Sequence, residues 1–468
     1  MAQQSSLFSG QLPAGSALVG GGYHLVSAEC PELGRPDRRV AALPQGGPRH
    51  KVNGCKTVAV IGAGISGLAA AWLLSRKYEV WVLERADRIG GHTNTAKVQS
   101  STGTVAVDTG FIVHNEKTYP LFCRLMQELG VATQASDMSF GVSTAGGRFE
   151  YSSRGLKGFF AQWTNWLRPR HYGLLLEILR FNREAPKFLL GNEGVEVTLG
   201  AFLLRGKYSK DFIEQYLYPM SSAVWSMPQN ELAGFPARTL LGFFQNHGML
   251  GINTHPRWKT ITGGSDQYLG PMTEPYKNRI LTGAGIRRVS RTEPGVTVDF
   301  EARAAMQFDH VVFACHGNQI LPLLQNPTET ERSVLQNFQT SRNEVCLHTD
   351  ETLLPQRLAA RASWNYRIGN GSKTTMTYDM NRLQNLATQE QYCVSLNSPG
   401  AVRPGKAIQW LEYYHPVYNV PAVKAQQRWA EISGVDRVHY CGAYWFYGFH
   451  EDGVRSAVRV AEALGVQW

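Results

Sequence analysis

Six residues, Gly62-Ala63-Gly64-Ile65-Ser66-Gly67, limit the fold more than any other stretch of the chain. They follow Thr57-Val58-Ala59-Val60-Ile61, a continuous β-branched and apolar run that reads as a parallel strand covered on both faces. They lead into Leu68 to Ser75, which is rich in helix formers. A strand that turns at once into a helix needs one glycine for the tight turn and a second where backbone approaches a pyrophosphate. A third lets helix and strand pack closely. The helix N-terminus then aims its free N–H groups at the phosphates. Glu79 to Leu83 supplies a second apolar strand, and Glu84 ends it where an acid would bond ribose hydroxyls. An α/β fold that opens at Lys56 and binds a dinucleotide follows.

Residues 1–55 differ in kind. They are rich in Gly, Pro, Ser, Ala and Gln with no lasting period, and read as a flexible leader; Glu29, Glu32 and Asp37 argue against an acid-poor targeting peptide. Beyond the first βαβ pattern, Tyr119 to Leu129 predicts an amphipathic helix ending at Gly130, and Ser136 to Ser143 a strand. Residues 154–220 are helical in period and carry many aromatics. Val296-Thr297-Val298 and Val311-Val312-Phe313-Ala314 are strands again, and a helix from about Val454 to Leu464 closes the chain. This order fits a dinucleotide domain split by an inserted helical domain.

Directly after Glu84 comes Arg85-Ala86-Asp87-Arg88-Ile89-Gly90-Gly91-His92-Thr93. A glycine doublet there lets the chain pass the pyrophosphate a second time. The segment resembles the second signature of the flavin amine oxidase, phytoene desaturase and UDP-galactopyranose mutase superfamily, with His92 standing where the usual form has arginine. Val311 to Cys315 resembles that superfamily's returning strand, and Ile286 to Val289 its adenine-contacting backbone. Tyr440-Cys441-Gly442-Ala443, followed by Glu451-Asp452-Gly453-Val454, resembles its last block, where a helix N-terminus stabilises reduced flavin.

The resemblance implies FAD and a Rossmann-like FAD-binding domain of the glutathione reductase type, with an inserted mixed α+β substrate domain. The FAD-binding domain would take 56–115, 256–330 and 426–468, and the substrate domain 116–255 and 331–425. The residues it assigns to the cofactor are Gly62, Ala63, Gly64, Ile65, Ser66, Gly67, Glu84, Arg85, Gly91, His92, Thr93, Gly110, Ile286, Gly442, Asp452 and Val454. Asp108 to Asn115, Trp364-Asn365-Tyr366, Met380 to Asn385 and Tyr444 to Gly453 narrow the likeness further. They resemble bacterial FAD-binding oxidoreductases fused to, or encoded beside, cyclopropane fatty acid synthases. That association implies a lipophilic, fatty acyl-like substrate oxidised or desaturated by hydride transfer to flavin. Three alternatives stay open: a non-redox isomerase or mutase, an amine oxidase, and a flavin-binding partner subunit of an acyl-modifying methyltransferase.

His114 and His450 lie beside motifs that the family folds against the flavin, and each could act as a general acid or base near neutral pH. Tyr447 is the third catalytic candidate, among several aromatics that include Tyr413, Tyr414, Tyr444 and Trp445. Amine oxidases hold a lysine near the flavin, but Ser341-Arg342-Asn343-Glu344 offers none, which argues against simple amine oxidation. Glu451 and Asp452 read equally well as helix caps. Asn381 and Arg382 could hold an anionic substrate group or form a structural pair.

The seven cysteines are scattered and never paired as CxxC, so reduced thiols and no structural metal are expected. No basic-then-apolar signal and no membrane-length apolar run is present, which places the protein in the cytoplasm. The net charge of +10 comes with no nucleic-acid-binding module, so nucleic acid is not an expected partner. Residues 154–190 hold seven basic residues against two acidic ones, mixed with Trp163 and Trp166. Basic, tryptophan-bearing helices lie on anionic membranes, and peripheral membrane contact is the corresponding expectation; a solvated basic face is the plainer one.

Overall fold

The computed structural model describes residues 55–192, 194–251, 256–369, 375–398 and 400–468. The expected leader, apart from Cys55, lies outside them. Strand Thr57–Ile61 sits at the centre of a five-stranded parallel sheet, flanked by Glu79–Leu83 on one side and His310–Phe313 on the other. Ile280–Leu281 and Val438–Tyr440 form its edges. Val58, Ala59 and Val60 are fully buried, as a strand covered on both faces requires. Helix Ile65–Leu74 covers one face, and all but one of its residues are buried, so its sequence shows no polar side. An antiparallel meander, Ile286–Thr292, Gly295–Phe300 and Met306–Phe308, precedes the returning strand.

Beside this lies a seven-stranded sheet ordered Ala407–Val417, Gln339–His348, Cys393–Leu396, Met376–Asp379, Trp364–Ile368, Phe140–Thr144 and Glu150–Ser152. All its pairings are antiparallel except that of Trp364–Ile368 with Phe140–Thr144. A helical layer follows Glu150–Ser152, built on Pro169–Leu190 and Ala237–Asn246 around Phe181, Phe212, Phe235 and Phe244. The result is an α/β fold: a Rossmann-like parallel sheet joined to a mixed α+β region.

Two expected boundaries are corrected. The strand predicted from Ser136 begins only at Phe140, because the Asp137 carboxylate accepts hydrogen bonds from the Ser139 N–H (2.8 Å) and the Ser363 hydroxyl (2.6 Å), which makes a turn. The last helix starts at His450, four residues before the expected Val454. His450, Glu451 and Asp452 therefore form its first turn.

Candidate functional site

At the glycine loop, Gly62 has φ +108° and so turns the chain as only glycine does readily. A Cβ on Gly67 would stand 1.9 Å from the Gly62 carbonyl oxygen, so the helix can approach the strand only without one. A Cβ on Gly64 would meet nothing within 4 Å: this backbone faces open space. The glycine doublet is tied alongside by the Gly90 N–H donating to the Ala63 carbonyl (2.7 Å). Arg88 locks that loop, donating to the carbonyls of Gly91 (2.8 Å) and Thr93 (3.3 Å). Glu84 accepts from the Ala63 N–H (2.7 Å) and the Ala86 N–H (2.8 Å), which fixes its carboxylate beside the loop.

A cavity of about 1810 Å³ starts here. Of the assigned cofactor residues, Gly62, Gly64, Ile65, Ser66, Glu84, Arg85, Gly91, His92, Gly110, Ile286 and Gly442 line it. Ala63, Gly67, Thr93, Asp452 and Val454 stand behind its wall; Val454 is core, and Asp452 accepts from the Phe449 N–H (3.0 Å) at the start of the last helix. The site fits FAD. Gly64 and Ser66 leave a cradle at a helix N-terminus for the pyrophosphate, and Glu84 is placed for the ribose. His92 has a buried Nε2 with no partner in the protein, and it lines the cavity where a phosphate-binding side chain is needed.

His92 stacks on Tyr413 (5.0 Å between centroids) and lies 5.2 Å from His415 and 6.0 Å from His316. Burial, reinforced by the neighbouring imidazoles, holds the His92 pKa well below its ordinary value. His415 is pushed down to about 4, again mainly by burial. The Asn397 amide donates to the Asn343 carbonyl oxygen (2.7 Å), and the Asn343 amide donates to His415 Nδ1 (2.9 Å). Neutral His415 then carries its proton on Nε2. No sequence motif announces this histidine cluster. Its only local trace is the spacing of Tyr413 and His415, two apart on strand Ala407–Val417 and so on one face.

His450 also lines the cavity. Its ring stacks on Phe111 (3.6 Å), and its Nε2 lies 3.1 Å from the Thr93 hydroxyl and 3.4 Å from the Tyr268 hydroxyl, which also bond each other. Burial lowers its pKa to about 3. His114, on strand Val113–Asn115, is buried with Nδ1 unpartnered, does not line the cavity, and is held at about 4 by burial. Burial thus holds both imidazoles below their ordinary value and favours their neutral form near neutral pH. Tyr447 lines the cavity, and its carbonyl accepts from the Trp225 indole (3.2 Å). Arg382 pairs with Asp379 (3.0 Å), while Asn381 donates to the Glu390 carbonyl and accepts from the Tyr392 N–H (both 2.8 Å). Both are structural.

The helices add an apolar part to the same cavity, a chamber lined by Trp225, Phe243, Met220, Tyr216, Ile178, Leu175 and Phe159. Sheet, glycine loop and cavity together define an FAD-binding oxidoreductase of the Rossmann type. The chain belongs to the flavin containing amine oxidoreductase family, whose sequence model matches residues 65–407. A putrescine oxidase double mutant shares the fold with a TM-score of 0.65 at 16% identity, over 88% of this chain and 99% of that one. Cyclohexylamine oxidase from Brevibacterium oxydans IH-35A gives 0.64 at 16%, over 88% and 100%. A CLA-producing fatty acid isomerase from P. acnes gives 0.62 at 14%, over 88% and 98%. FAD is the cofactor.

Proposed function

We propose that the protein oxidises or desaturates a lipophilic, fatty acyl-like substrate. The observation that carries this reading is the apolar chamber continuous with the cofactor cavity, walled by Phe159, Leu175, Ile178, Tyr216, Met220 and Trp225. An acyl chain matches such walls by apolar burial. Bound FAD supplies the hydride acceptor.

The chain's own residues bind, orient and exclude water. Tyr447 and His450 both line the cavity, and His450 acts as a neutral hydrogen-bonding group held by Thr93 and Tyr268. His415, which also lines the cavity, offers its Nε2–H. His114 acts by packing against Phe122 (5.3 Å), which in turn packs on Phe111 (5.1 Å) beneath His450. The resemblance to proteins encoded beside cyclopropane fatty acid synthases supports an acyl substrate and an acyl-modifying methyltransferase as partner. The domain division given above belongs to the same proposal.

Anaerobic titration of the holoprotein with acyl lipids and with amines, followed at the oxidised flavin band, tests it. Bleaching by acyl lipids is expected. Bleaching by amines alone would overturn the lipid reading, and turnover without net oxidation would establish the isomerase. Replacing His114 and His450 together by alanine is expected to slow bleaching; unchanged rates would refute a role for either in the reaction.

A further inference from the structure

Helix Pro169–Leu190 buries His171, Leu174, Phe181 and Ala185 on one face, yet bares another that is equally apolar over its first half. Tyr172, Leu176 and Leu179 share that outer face, spaced four and three apart, and Leu176 is 65% exposed. Exposed Arg183 and Lys187 continue the same stripe. Just before the helix, Trp163 and Leu167 are 72% and 73% exposed, and Trp166 is about half exposed. Trp166 is held in that position: its ring stacks on Phe160 at 4.0 Å, and its carbonyl accepts from the Tyr172 hydroxyl at 3.0 Å. Single exposed apolar residues are ordinary, but a cluster of this kind on one segment marks an interaction surface.

The charge around the cluster is mainly positive, with Asp137 beside Arg154 as an exposed acid. Arg154, Lys157, Arg168, Arg170, Arg183 and Lys187 are all exposed. The two acids of the segment are turned inward: Glu177 accepts from the Ser209 N–H (3.0 Å), and Glu184 from the Tyr208 hydroxyl (2.7 Å). The cavity also opens here. Arg154, Leu156 and Leu179 are exposed and at the same time line it, with Leu175 and Ile178 behind them.

We infer that this surface seats on an anionic lipid bilayer, with Trp163 and Trp166 at headgroup depth and the arginines and lysines on the phosphates. The cavity mouth then faces the acyl layer, and an apolar substrate passes into the chamber without crossing water. Indoles belong at that depth, and basic residues gain from an anionic leaflet. A second copy of this chain fits less well, because a two-fold contact would set like charges against each other. Only the route of the substrate rests on the function proposed above; the docking stands on the surface itself.

The experiment is sedimentation of the full-length holoprotein with phosphatidylcholine vesicles, with and without phosphatidylglycerol, together with tryptophan quenching by brominated lipid. Salt-sensitive binding to the anionic vesicles alone is expected, with quenching. Charge reversal at Arg168→Glu and Arg170→Glu should weaken partitioning at least about 25-fold, from roughly fivefold per basic residue at an anionic surface. Trp163→Ala with Trp166→Ala should abolish quenching while flavin content and circular dichroism stay unchanged. No binding by the unaltered protein, or equal binding by these variants, would overturn the inference. So would a dimer in solution that Trp163→Ala and Trp166→Ala dissociate. Vesicle binding without flavin bleaching by any acyl lipid would leave the docking and refute the substrate; bleaching without vesicle binding would do the reverse.

Discussion

Glu451 caps a helix to which it does not belong. It is the second residue of helix His450–Ala463, and its two carboxylate oxygens accept from the N–H groups of Leu121 (3.2 Å) and Phe122 (2.9 Å). Those N–H groups lie in the first turn of Pro120–Glu128, whose N-cap residue Tyr119 makes no capping bond through its side chain. A first turn leaves its N–H groups without intrahelical acceptors, and a negative charge there also meets the positive end of the helix. Glu451→Ala removes both acceptors, at roughly 1–1.5 kcal/mol each, or about 2–3 kcal/mol in all. Glu451→Gln keeps one acceptor oxygen and should lose about half as much. Hydrogen exchange at the Leu121 and Phe122 amides reads this directly. Local opening should accelerate roughly 30- to 150-fold in the alanine variant, at tenfold per 1.4 kcal/mol. Phe122 packs on Phe111, and Phe111 on His450, so flavin retention should fall with the same ranking. Parent-like exchange in Glu451→Ala, or equal effects of alanine and glutamine, would refute the cap.

The glycine loop gives a paired test: Gly67→Ala should lose both flavin and thermal stability, because its Cβ would lie 1.9 Å from the Gly62 carbonyl oxygen. Gly64→Ala should lose flavin while the apoprotein melts as the parent does, read from the flavin-to-protein absorbance ratio and from melting curves. Burial raises the Asp452 carboxyl from 3.8 to about 7. The folded protein thus holds that proton more tightly than the unfolded chain. The stability it lends is complete below pH 3.8 and lost as pH rises through about 7, a swing of about 4 kcal/mol. Asp452→Asn should flatten the decline in melting temperature between those limits, and parallel curves would refute the assignment. Asn343→Leu should free His415 from its single tautomer, seen as a second set of imidazole nitrogen resonances; an unchanged spectrum would separate the two residues.

What the sequence disclosed follows from how local each feature is. The glycine loop and the strand Thr57–Ile61 are legible because turn, strand and helix lie within eighteen consecutive residues, Thr57 to Leu74, and each is specified by its own neighbours. The seven-stranded sheet is not. Met376–Asp379 and Cys393–Leu396 are four residues each and buried throughout, so they carry no alternation, and Phe140–Thr144 finds its parallel partner only at Trp364–Ile368. The start of the last helix is hidden in the sequence because His450, Glu451 and Asp452 read as polar residues before a helix, whereas Glu451 is turned toward another helix's first turn.

The site shows the same limit in its chemistry. A histidine beside a motif can be found by spacing, but its protonation cannot, because that depends on what covers it. Around His450 the cover comes from Thr93, Phe111, Phe122 and Tyr268, drawn from separate stretches of the chain. No one of those segments is unusual by itself. Brought together they leave the imidazole two hydroxyl neighbours and no carboxylate partner among its described hydrogen bonds, and burial then carries its pKa to about 3. Burial of this kind favours the neutral imidazole at neutral pH, a form that contributes through shape and through hydrogen bonds to Thr93 and Tyr268.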